Sequence, residues 1–525
     1  MAKPTVYLTT PIYYVNDKPH IGHAYTSLAT DVLARFKRLD GHEVFFLTGT
    51  DEHGQKVEKA AKEAGEDPQA FTDRVSRAFR DLTATMGLSN DDFIRTTEPR
   101  HTAACVALWQ ELAARGDIYL GNYEGWYAVR DEAFYGPDEL TERDGVRYAP
   151  SGAPVEWVRE PSYFFRLSRW LPELLRRYDL PEGDPERIDI QPESRRNEIR
   201  AFIQQGLKDF GEGSPKLDLS VSRTSFTWGV KVPGDPAHIM YVWLDALTNY
   251  ITAAGYPDAS HPRWKFWPAD VHFVGKDIVR FHAIYWPAFL MAAGIAPPKR
   301  IFAHGWWTNE GQKISKSLGN VIDPVALVEE FGLDPVRYFL LREVPFGQDG
   351  DFSRKALVNR LNGELADALG NLANRTLSLI QRNCAGRLPA AAARADGDTE
   401  LFDSLDAVTA AVRRHLDQQH FHLALDTIFA SVRAANGYIT QQAPWALKKT
   451  DSARMAAVLR HLHTALRTHA TMLQPFMPGT MAALLDQLGV PADARDIAAL
   501  DVPLPEGTPL PPPAPLFRKI DLAAA

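Results

Sequence analysis

The chain has 525 residues, of which 45% are hydrophobic and 24% are charged, and its formal net charge is −8 at pH 7. These are ordinary values for a globular protein, and the length suggests three or more structural units. An acidic chain can bind nucleic acid only through a local basic patch, so the composition does not exclude an RNA partner. Two distant cysteines, no leader sequence and no apolar run of bilayer length predict a reducing, cytoplasmic location without a membrane partner.

The first fifty residues predict a strand, a helix and a second strand, with two histidines at the first connection. Residues 5–10 are β-branched and aromatic, as in a buried strand, and residues 21–39 carry apolar side chains at helical spacing. His20, Gly22 and His23 stand at the predicted helix N-terminus, where N–H groups and the helix dipole suit a phosphate. The two histidines share one face of the first turn and can both donate to phosphate oxygens. By spacing alone, two capping or solvated histidines are the simpler interpretation.

Residues 1–115 predict the first half of an open α/β sheet. A second strand over residues 43–48 leads to Asp51, at the carboxyl end where such sheets bind ligands. Asp51 is therefore a candidate to hold an α-ammonium group, and the alternative is that it caps a helix predicted over residues 55–64.

Residues 116–235 interrupt this pattern and predict an inserted module, because Gly, Pro, Tyr and Trp become frequent there. The sheet resumes over residues 236–325, where two apolar and aromatic stripes each follow a predicted strand end. The stripe residues are Trp243, Ala246, Leu247, Tyr250, Ile278, His282 and Trp286. Ordinary core packing often gives such stripes, but two of them can also line one slot. A long, unbranched methionine side chain, whose sulfur contacts aromatic rings well, would fit such a slot.

A lysine loop, Lys313-Ile-Ser-Lys-Ser317, follows a predicted strand over residues 300–304. Two lysines in a polar loop can neutralise a leaving pyrophosphate, although a lone loop of this kind is more simply a solvated turn. Together and in this order, His20-Ile-Gly-His23 and the lysine loop resemble the paired signatures of class I aminoacyl-tRNA synthetases. Further matches over most of the chain resemble the methionyl-tRNA synthetase family.

The resemblance implies an α/β fold: a Rossmann-like nucleotide-binding catalytic domain, split by a connective insertion and followed by an all-α anticodon-binding bundle. The implied catalytic residues are His20, His23, Lys313 and Lys316. The implied ATP contacts are the same four residues with Gly22, Gly275 and Asp277. The implied methionine pocket adds Ile12, Tyr14 and Asp51 to the seven stripe residues, with the Tyr14 and Tyr250 hydroxyls near the sulfur.

The C-terminal part predicts RNA recognition. Residues 326–355 form a linking segment, and residues 356–525 carry the Ala-, Leu- and Arg-rich periodicity of a helical bundle, ending in an extended proline-rich tail. The resemblance assigns the reading of the anticodon to Asn371, Arg375, Pro444 and Trp445. For Trp445, packing between helices is the alternative.

No structural zinc is expected. The family's insertion usually carries knuckles built from Cys-x-x-Cys pairs, whereas this sequence has Tyr-Ala-Val-Arg-Asp-Glu over residues 127–132 and no cysteine between Cys105 and Cys384. A structural zinc ion needs about four close ligands, which Asp131 and Glu132 cannot supply alone. We expect packing to hold the knuckle instead, through Trp126, Phe134, Tyr135 and Trp157.

The activity implied by the resemblance is ATP-dependent ligation of L-methionine to tRNA(Met), including the initiator tRNA, with Mg²⁺ carried by ATP. A nucleotidylyltransferase would share the first motif, but the lysine loop and the bundle disfavour it. A catalytically silent RNA-binding paralogue is disfavoured by the intact histidines and lysines. The dimerisation module found at the end of some relatives is absent, so a monomer is expected.

Overall fold

The computed structural model describes residues 3–15, 18–131, 133–314 and 320–521, without the side chains of residues 123, 133, 134, 138, 160 and 313. Its first elements are β1 Thr5–Thr9, β2 Tyr13–Tyr14, α1 Ile21–Leu39, β3 Glu43–Asp51, α2 Gln55–Ala64, α3 Pro68–Thr85, β4 Asp92–Arg95 and α4 Pro99–Ala114. The predicted strand–helix–strand unit is confirmed. β3 is longer than its periodicity indicated, and Asp51 is its last residue.

Elements of the interrupting segment follow. They are β5 Ile118–Ala128, β6 Ala133–Tyr135, β7 Thr141–Arg143, β8 Val146–Tyr148, β9 Glu156–Phe165, α5 Leu171–Asp179, β10 Asp189–Gln191, α6 Glu193–Phe210, β11 Leu219–Ser220, β12 Ser222–Arg223, β13 Lys231–Val232 and β14 Asp235–Met240. β5 and β9 form a long antiparallel ladder. β10 instead pairs in parallel with the strand Arg300–His304, so the segment 116–235 also supplies an edge strand of the main sheet. Three residues are too few for periodicity to reveal such a strand.

The resumed part contains α7 Val242–Leu247, α8 Asn249–Ala254, β15 Val271–Gly275, α9 Trp286–Ala292, β16 Arg300–His304, β17 Trp307–Asn309, β18 Gln312–Lys313, α10 Pro324–Phe331, α11 Leu333–Arg342 and β19 Gly350–Phe352. Between β15 and α9 the chain forms a 3₁₀ turn, Lys276–Ile278, and a π-helical turn, Phe281–Tyr285. The predicted helix there is thus wider than an α-helix, as often happens at functional sites.

A parallel sheet organises the catalytic part. Its strand order is β10–β16–β15–β1–β3–β2, with β4 also beside β3. β3, β2 and β4 lie on one side of β1, and β15, β16 and β10 lie on its other side. The strand order therefore reverses between β1 and β15. A crevice opens at such a switch point, outside the carboxyl ends of the strands.

Each face of the sheet packs against its own hydrophobic core, because successive side chains of a strand point to opposite faces. Val6 and Leu8 of β1 pack with α1, whereas Tyr7 between them packs with α4, α8 and α9. The sheet is therefore covered on both sides, and only its strand ends remain open to ligands.

The C-terminal part is helical. It contains α12 Arg354–Arg360, α13 Asn371–Asn383, α14 Thr399–Asp417, α15 Phe421–Gln442, α16 Pro444–Thr450, α17 Ser452–Leu473 and α18 Pro478–Gln487, with a π-helical segment, Leu361–Gly370, joining α12 to α13. The proline-rich tail runs along this bundle, where the Gln381 side chain donates to the Leu510 carbonyl at 2.7 Å. Across the described ranges, every helix is too short or too polar to cross a membrane.

A fully buried arginine joins the sheet to the bundle. Arg337 of α11 donates to Asp31 of α1 at 2.7 Å and to the Phe476 carbonyl, just before α18, at 3.0 Å. Burial would raise the pKa of Asp31, but Arg337 and Arg35 hold it below its usual value. Breaking such a buried pair typically costs about 3–5 kcal/mol, so the helix that carries the two histidines is firmly anchored to the bundle.

Candidate active site

A cavity of about 440 Å³ lies at the switch point of the sheet. It is bordered by the loop after β1, the start of α1, the end of β3, helices α7 and α8, and the turn after β15. The predicted site residues that line it are Ile12, Tyr14, His20, Gly22, His23, Asp51, Trp243, Ala246, Leu247, Tyr250, Gly275, Asp277, Ile278 and His282. Residues from five separate stretches of the sequence therefore meet in one crevice.

The two histidines cap α1 and face each other at 3.9 Å between ring centroids. Nδ1 of His20 accepts from the Gly22 N–H at 3.1 Å, and Nδ1 of His23 accepts from the His20 N–H at 3.0 Å. Burial lowers the pKa of both imidazoles, and His20 lowers that of His23 further. Both rings are therefore neutral near pH 7 and carry their proton on Nε2, which makes each a hydrogen-bond donor. Capping, the simpler interpretation of the motif, is what fixes these tautomers.

Gly22 makes room for the His20 ring. A Cβ at this position would lie 3.0 Å from Cε1 of His20, closer than an ordinary contact. The glycine thus lets the imidazole fold back over the first turn of α1, while keeping the backbone open to a ligand.

Six of the seven stripe residues line the apolar slot. Trp243 stacks on Phe281 with ring centroids 3.6 Å apart, and Ala246, Leu247 and Tyr250 are buried beside it. Nδ1 of His282 donates to the Ile278 carbonyl at 3.0 Å, so its Nε2 accepts from the Tyr250 hydroxyl at 2.7 Å. Burial lowers the pKa of His282 to about 4, which keeps the ring neutral at pH 7.

Both hydroxyls expected near a methionine sulfur have protein partners in this structure. Tyr250 donates to His282, and the Tyr14 hydroxyl donates to the His53 carbonyl at 3.2 Å. A bound sulfur would have to compete for these protons, and a thioether is only a weak acceptor.

Trp286 does not line the cavity. Its indole is fully buried and donates to Nε2 of His272 at 3.3 Å, while the His272 ring stacks on Tyr250 at 4.1 Å. Trp286 therefore stands one layer behind the slot, because a stripe at helical spacing does not distinguish the inner wall from the packing behind it. His272 was missed by the sequence analysis, although a histidine inside an apolar strand was the available signal.

Asp51 is followed by two anchored residues. Glu52 is fully buried and receives two hydrogen bonds from Arg95, at 2.7 and 2.8 Å. Nδ1 of His53 lies 2.7 Å from a carboxylate oxygen of Asp245. α2 begins after Gly54 with no side-chain cap, so Asp51 does not act as the cap of that helix.

One side of the cavity is bordered by the turn after β15. A Cβ at Gly275 would lie 2.5 Å from Oδ1 of Asp277, so glycine is needed for this carboxylate to fold back. The indole of Trp306 donates to the same oxygen at 3.2 Å. Beyond His20 a second cavity of about 780 Å³ continues past Trp306 toward α10, which leaves room for a ligand much larger than an amino acid.

The lysine loop is only partly described. The backbone of Lys313 pairs with Thr308 in the β17–β18 hairpin, next to the second cavity. Lys316 and the Lys313 side chain lie outside what the structure describes, so their roles stay predictions.

The tip of the insertion reaches the cavity. Arg130 and Asp131 line it, although the sequence analysis assigned them no role in the site. Asp131 accepts from the Tyr135 hydroxyl at 2.9 Å and from the Ser151 hydroxyl.

Aromatic side chains pack against each other in the knuckle of the insertion. Trp126 and Trp157 contact edge to face, with ring centroids 5.3 Å apart. Phe134, the fourth residue expected in this packing, has an undescribed side chain. Within the described residues one group of potential metal ligands comes together, His101, Cys105 and Asp245, and it lies outside the knuckle. The absence of zinc therefore stays a prediction.

The predicted anticodon residues lie on the bundle. Trp445 follows the buried Pro444 at the start of α16 and is 48% exposed, and the Arg375 guanidinium lies 5.4 Å from its ring centroid. Asn371 is exposed one turn before Arg375. The structure thus brings an aromatic face and a cation together at the surface, as in proteins that stack unpaired bases.

A parallel sheet with paired histidines at its switch point, followed by a helical bundle, is the architecture of class I aminoacyl-tRNA synthetases. Sequence comparison agrees: residues 6–377 match the family described as tRNA synthetases class I (M), and residues 388–524 match the anticodon binding domain of methionyl tRNA ligase. The chain belongs to the methionine–tRNA ligase family. The predicted family and fold class are confirmed.

Individual relatives support this membership over the full length. The methionine–tRNA ligase of Mesorhizobium japonicum is 55% identical over 99% of this chain and 98% of its own length. That of Rickettsia bellii is 56% identical over 94% of each chain. The structure of Mycobacterium tuberculosis methionyl-tRNA synthetase in complex with methionyl-adenylate gives a TM-score of 0.92 at 49% identity, covering 98% of this chain and 99% of that one.

Proposed function

We propose that the switch-point cavity binds L-methionine and ATP side by side and that the reaction of the family takes place there. The methionine carboxylate attacks the α-phosphate of ATP, which forms methionyl-adenylate and releases pyrophosphate. The methionyl group then passes to the 3′ end of tRNA(Met), and AMP leaves. The observation that carries the proposal is that an apolar, aromatic slot and two neutral, donating histidines open into the same cavity.

The histidines stabilise the transition state of the first step. Nε2–H groups of His20 and His23 donate to the phosphate oxygens as negative charge shifts from the α-phosphate to the leaving pyrophosphate. Neutral, pre-oriented donors cost little reorganisation, which is the main source of such stabilisation. Lys313 and Lys316 neutralise the pyrophosphate, and Mg²⁺ enters as part of the ATP complex. Every group acts by position and charge, and no covalent enzyme intermediate is required.

The slot and its rim select and orient the substrates. The methionine side chain lies along Trp243, Leu247 and Tyr250, and its α-ammonium group pairs with Asp51. Asp277 takes the ribose hydroxyls of ATP. A branched side chain would collide with the stacked Trp243 wall, whereas a shorter one would leave contacts unfilled, at a cost of about 1–3 kcal/mol per methylene.

The bundle supplies the RNA partner. Trp445 stacks on an anticodon base while Arg375 and Asn371 read its edges. Initiator and elongator tRNA(Met) share the CAU anticodon, so we propose that the chain charges both. It is proposed to act as a monomer in the cytoplasm.

ATP–pyrophosphate exchange measured with each amino acid in turn tests the proposed function. We expect methionine alone to support rapid exchange. Trp243→Ala should raise the KM for methionine far more than the KM for ATP, because the partly buried indole forms a wall of the slot. Removal of a fully buried indole costs about 3–5 kcal/mol, which sets the upper limit of the loss. Exchange without methionine dependence would refute the proposed substrate. An equal rise in the KM for methionine and the KM for ATP would show that Trp243 only packs the core.

A further inference from the structure

A buried carboxylate is clamped between two histidines behind the slot. Oδ2 of Asp245 lies 2.7 Å from Nδ1 of His53, and its Oδ1 lies 2.7 Å from Nε2 of His101. Asp245 is 1% exposed and His101 is fully buried. Burial would raise the pKa of Asp245, but the two imidazoles hold it far below its usual value. The carboxylate is therefore charged, fully desolvated and satisfied on both oxygens.

The clamp joins the two walls of the methionine site. Asp245 belongs to α7, between Trp243 and the pair Ala246 and Leu247. His53 lies two residues after Asp51, and its carbonyl accepts from the hydroxyl of Tyr14, the residue that pairs with Asp51 between β2 and β3. The 2.7 Å contact between His53 and Asp245 is therefore a direct link between the aromatic wall and the strand end that carries Asp51.

The second histidine anchors the clamp to the scaffold. His101 is on α4, and its Nδ1 lies 3.3 Å from the Thr252 hydroxyl of α8. Between Asp51 and His53, Glu52 is fixed by Arg95. The two residues that follow Asp51 are therefore both anchored, which restricts the backbone on its C-terminal side. Pre-organisation of this kind sets how well a charged group meets its ligand.

We propose that Asp245 is a positioning residue for methionine: through His53 it holds the Asp51 carboxylate at a fixed place relative to the Trp243 wall. The inference rests on the proposed pairing of Asp51 with the α-ammonium group. Packing alone gives no reason for the charge, because apolar residues of similar volume stabilise a core as well as a buried ionic cluster does, or better. The hydrogen bond between His53 and Asp245, by contrast, fixes the position of the Asp51 strand end relative to the Trp243 wall.

The test compares methionine with its analogue lacking the amino group, 4-(methylthio)butanoate, as a competitive inhibitor of exchange. Asp245→Asn keeps the shape but removes the charge that binds both imidazoles. We expect the KM for methionine to rise roughly 10- to 100-fold, as for the loss of one charge-assisted hydrogen bond. The KM for ATP and the inhibition constant of the analogue should stay within about twofold, because neither depends on the α-ammonium group.

Two further variants distinguish a loss of positioning from a loss of folding stability. His53→Gln removes the same link from the other side and should give the same pattern. Asp398→Asn is the matched control, since Asp398 is a fully buried carboxylate of the bundle, bonded to Tyr438 at 2.6 Å and to Arg454 at 2.5 Å. It should lower the melting temperature without changing the KM for methionine.

The outcomes separate the inference from the proposed function. If Asp51→Asn leaves the KM for methionine unchanged, the proposed role of Asp51 fails. If Asp51→Asn weakens methionine but the Asp245 and His53 variants do not, the positioning role is overturned. Equal weakening of methionine and the analogue would overturn it too, because it would show a distorted slot. Less than multiplicative losses in the Asp51→Asn, Asp245→Asn double variant would support it.

Discussion

Replacing Trp445 by alanine should separate the two half-reactions of this family. The indole is 48% exposed, so its removal leaves little buried cavity, and its cation–π contact with Arg375 at 5.4 Å is worth about 0.5–1 kcal/mol at an exposed site. The bundle should therefore stay folded. Stacking on an unpaired base contributes about 1–3 kcal/mol, so aminoacylation at limiting tRNA should fall roughly 5- to 150-fold.

The assay runs tRNA aminoacylation beside tRNA-free pyrophosphate exchange on one preparation, with thermal melting as the folding check. Exchange should be unchanged, because Trp445 lies in the bundle and the cavity lies at the sheet. Leu423→Ala is a matched control, since Leu423 is an exposed apolar residue of the same bundle at 37% exposure, and it should affect neither reaction. If Trp445→Ala melts early and loses both activities together, Trp445 is a packing residue and the assignment is wrong.

Three other predictions concern the catalytic part. Lys316→Ala should reduce methionine-dependent exchange a few hundredfold, about 3–4 kcal/mol, with methionine binding near normal; a variant within threefold of wild type would contradict the role. Elemental analysis of untagged protein should find well under one zinc per chain, whereas a stoichiometric zinc that survives dialysis against a chelator would overturn the packing account of the knuckle. Methionine affinity, followed by equilibrium dialysis, should be flat from neutral pH to about pH 5 and then fall. Protonation of His282, whose pKa is about 4, puts a positive charge into the buried wall of the apolar slot, so an affinity that rises in acid would refute this.

Much of the fold could be predicted because it is encoded locally. α1 spans Ile21–Leu39, as its apolar spacing indicated, and β1 spans Thr5–Thr9. In the bundle, α17 likewise follows its periodic stretch and ends at Leu473. Periodicity reports which face of an element is buried, and a capping pattern reports where a helix begins, so both can be recognised within a few turns of chain. The resemblance of two short motifs then added the reaction, which periodicity cannot supply.

The arrangement of the site was decided by the tertiary structure. β10 joins the main sheet by pairing with β16, a strand more than a hundred residues further along the sequence. Trp286 and His282 occupy the same stripe, yet one stands behind the slot and the other lines it. The clamp of His53, Asp245 and His101 joins three distant stretches that show no common pattern. Local sequence determines which side chains turn inward, but which of them meet depends on how the elements pack, and that is settled only when the whole chain buries its surface together.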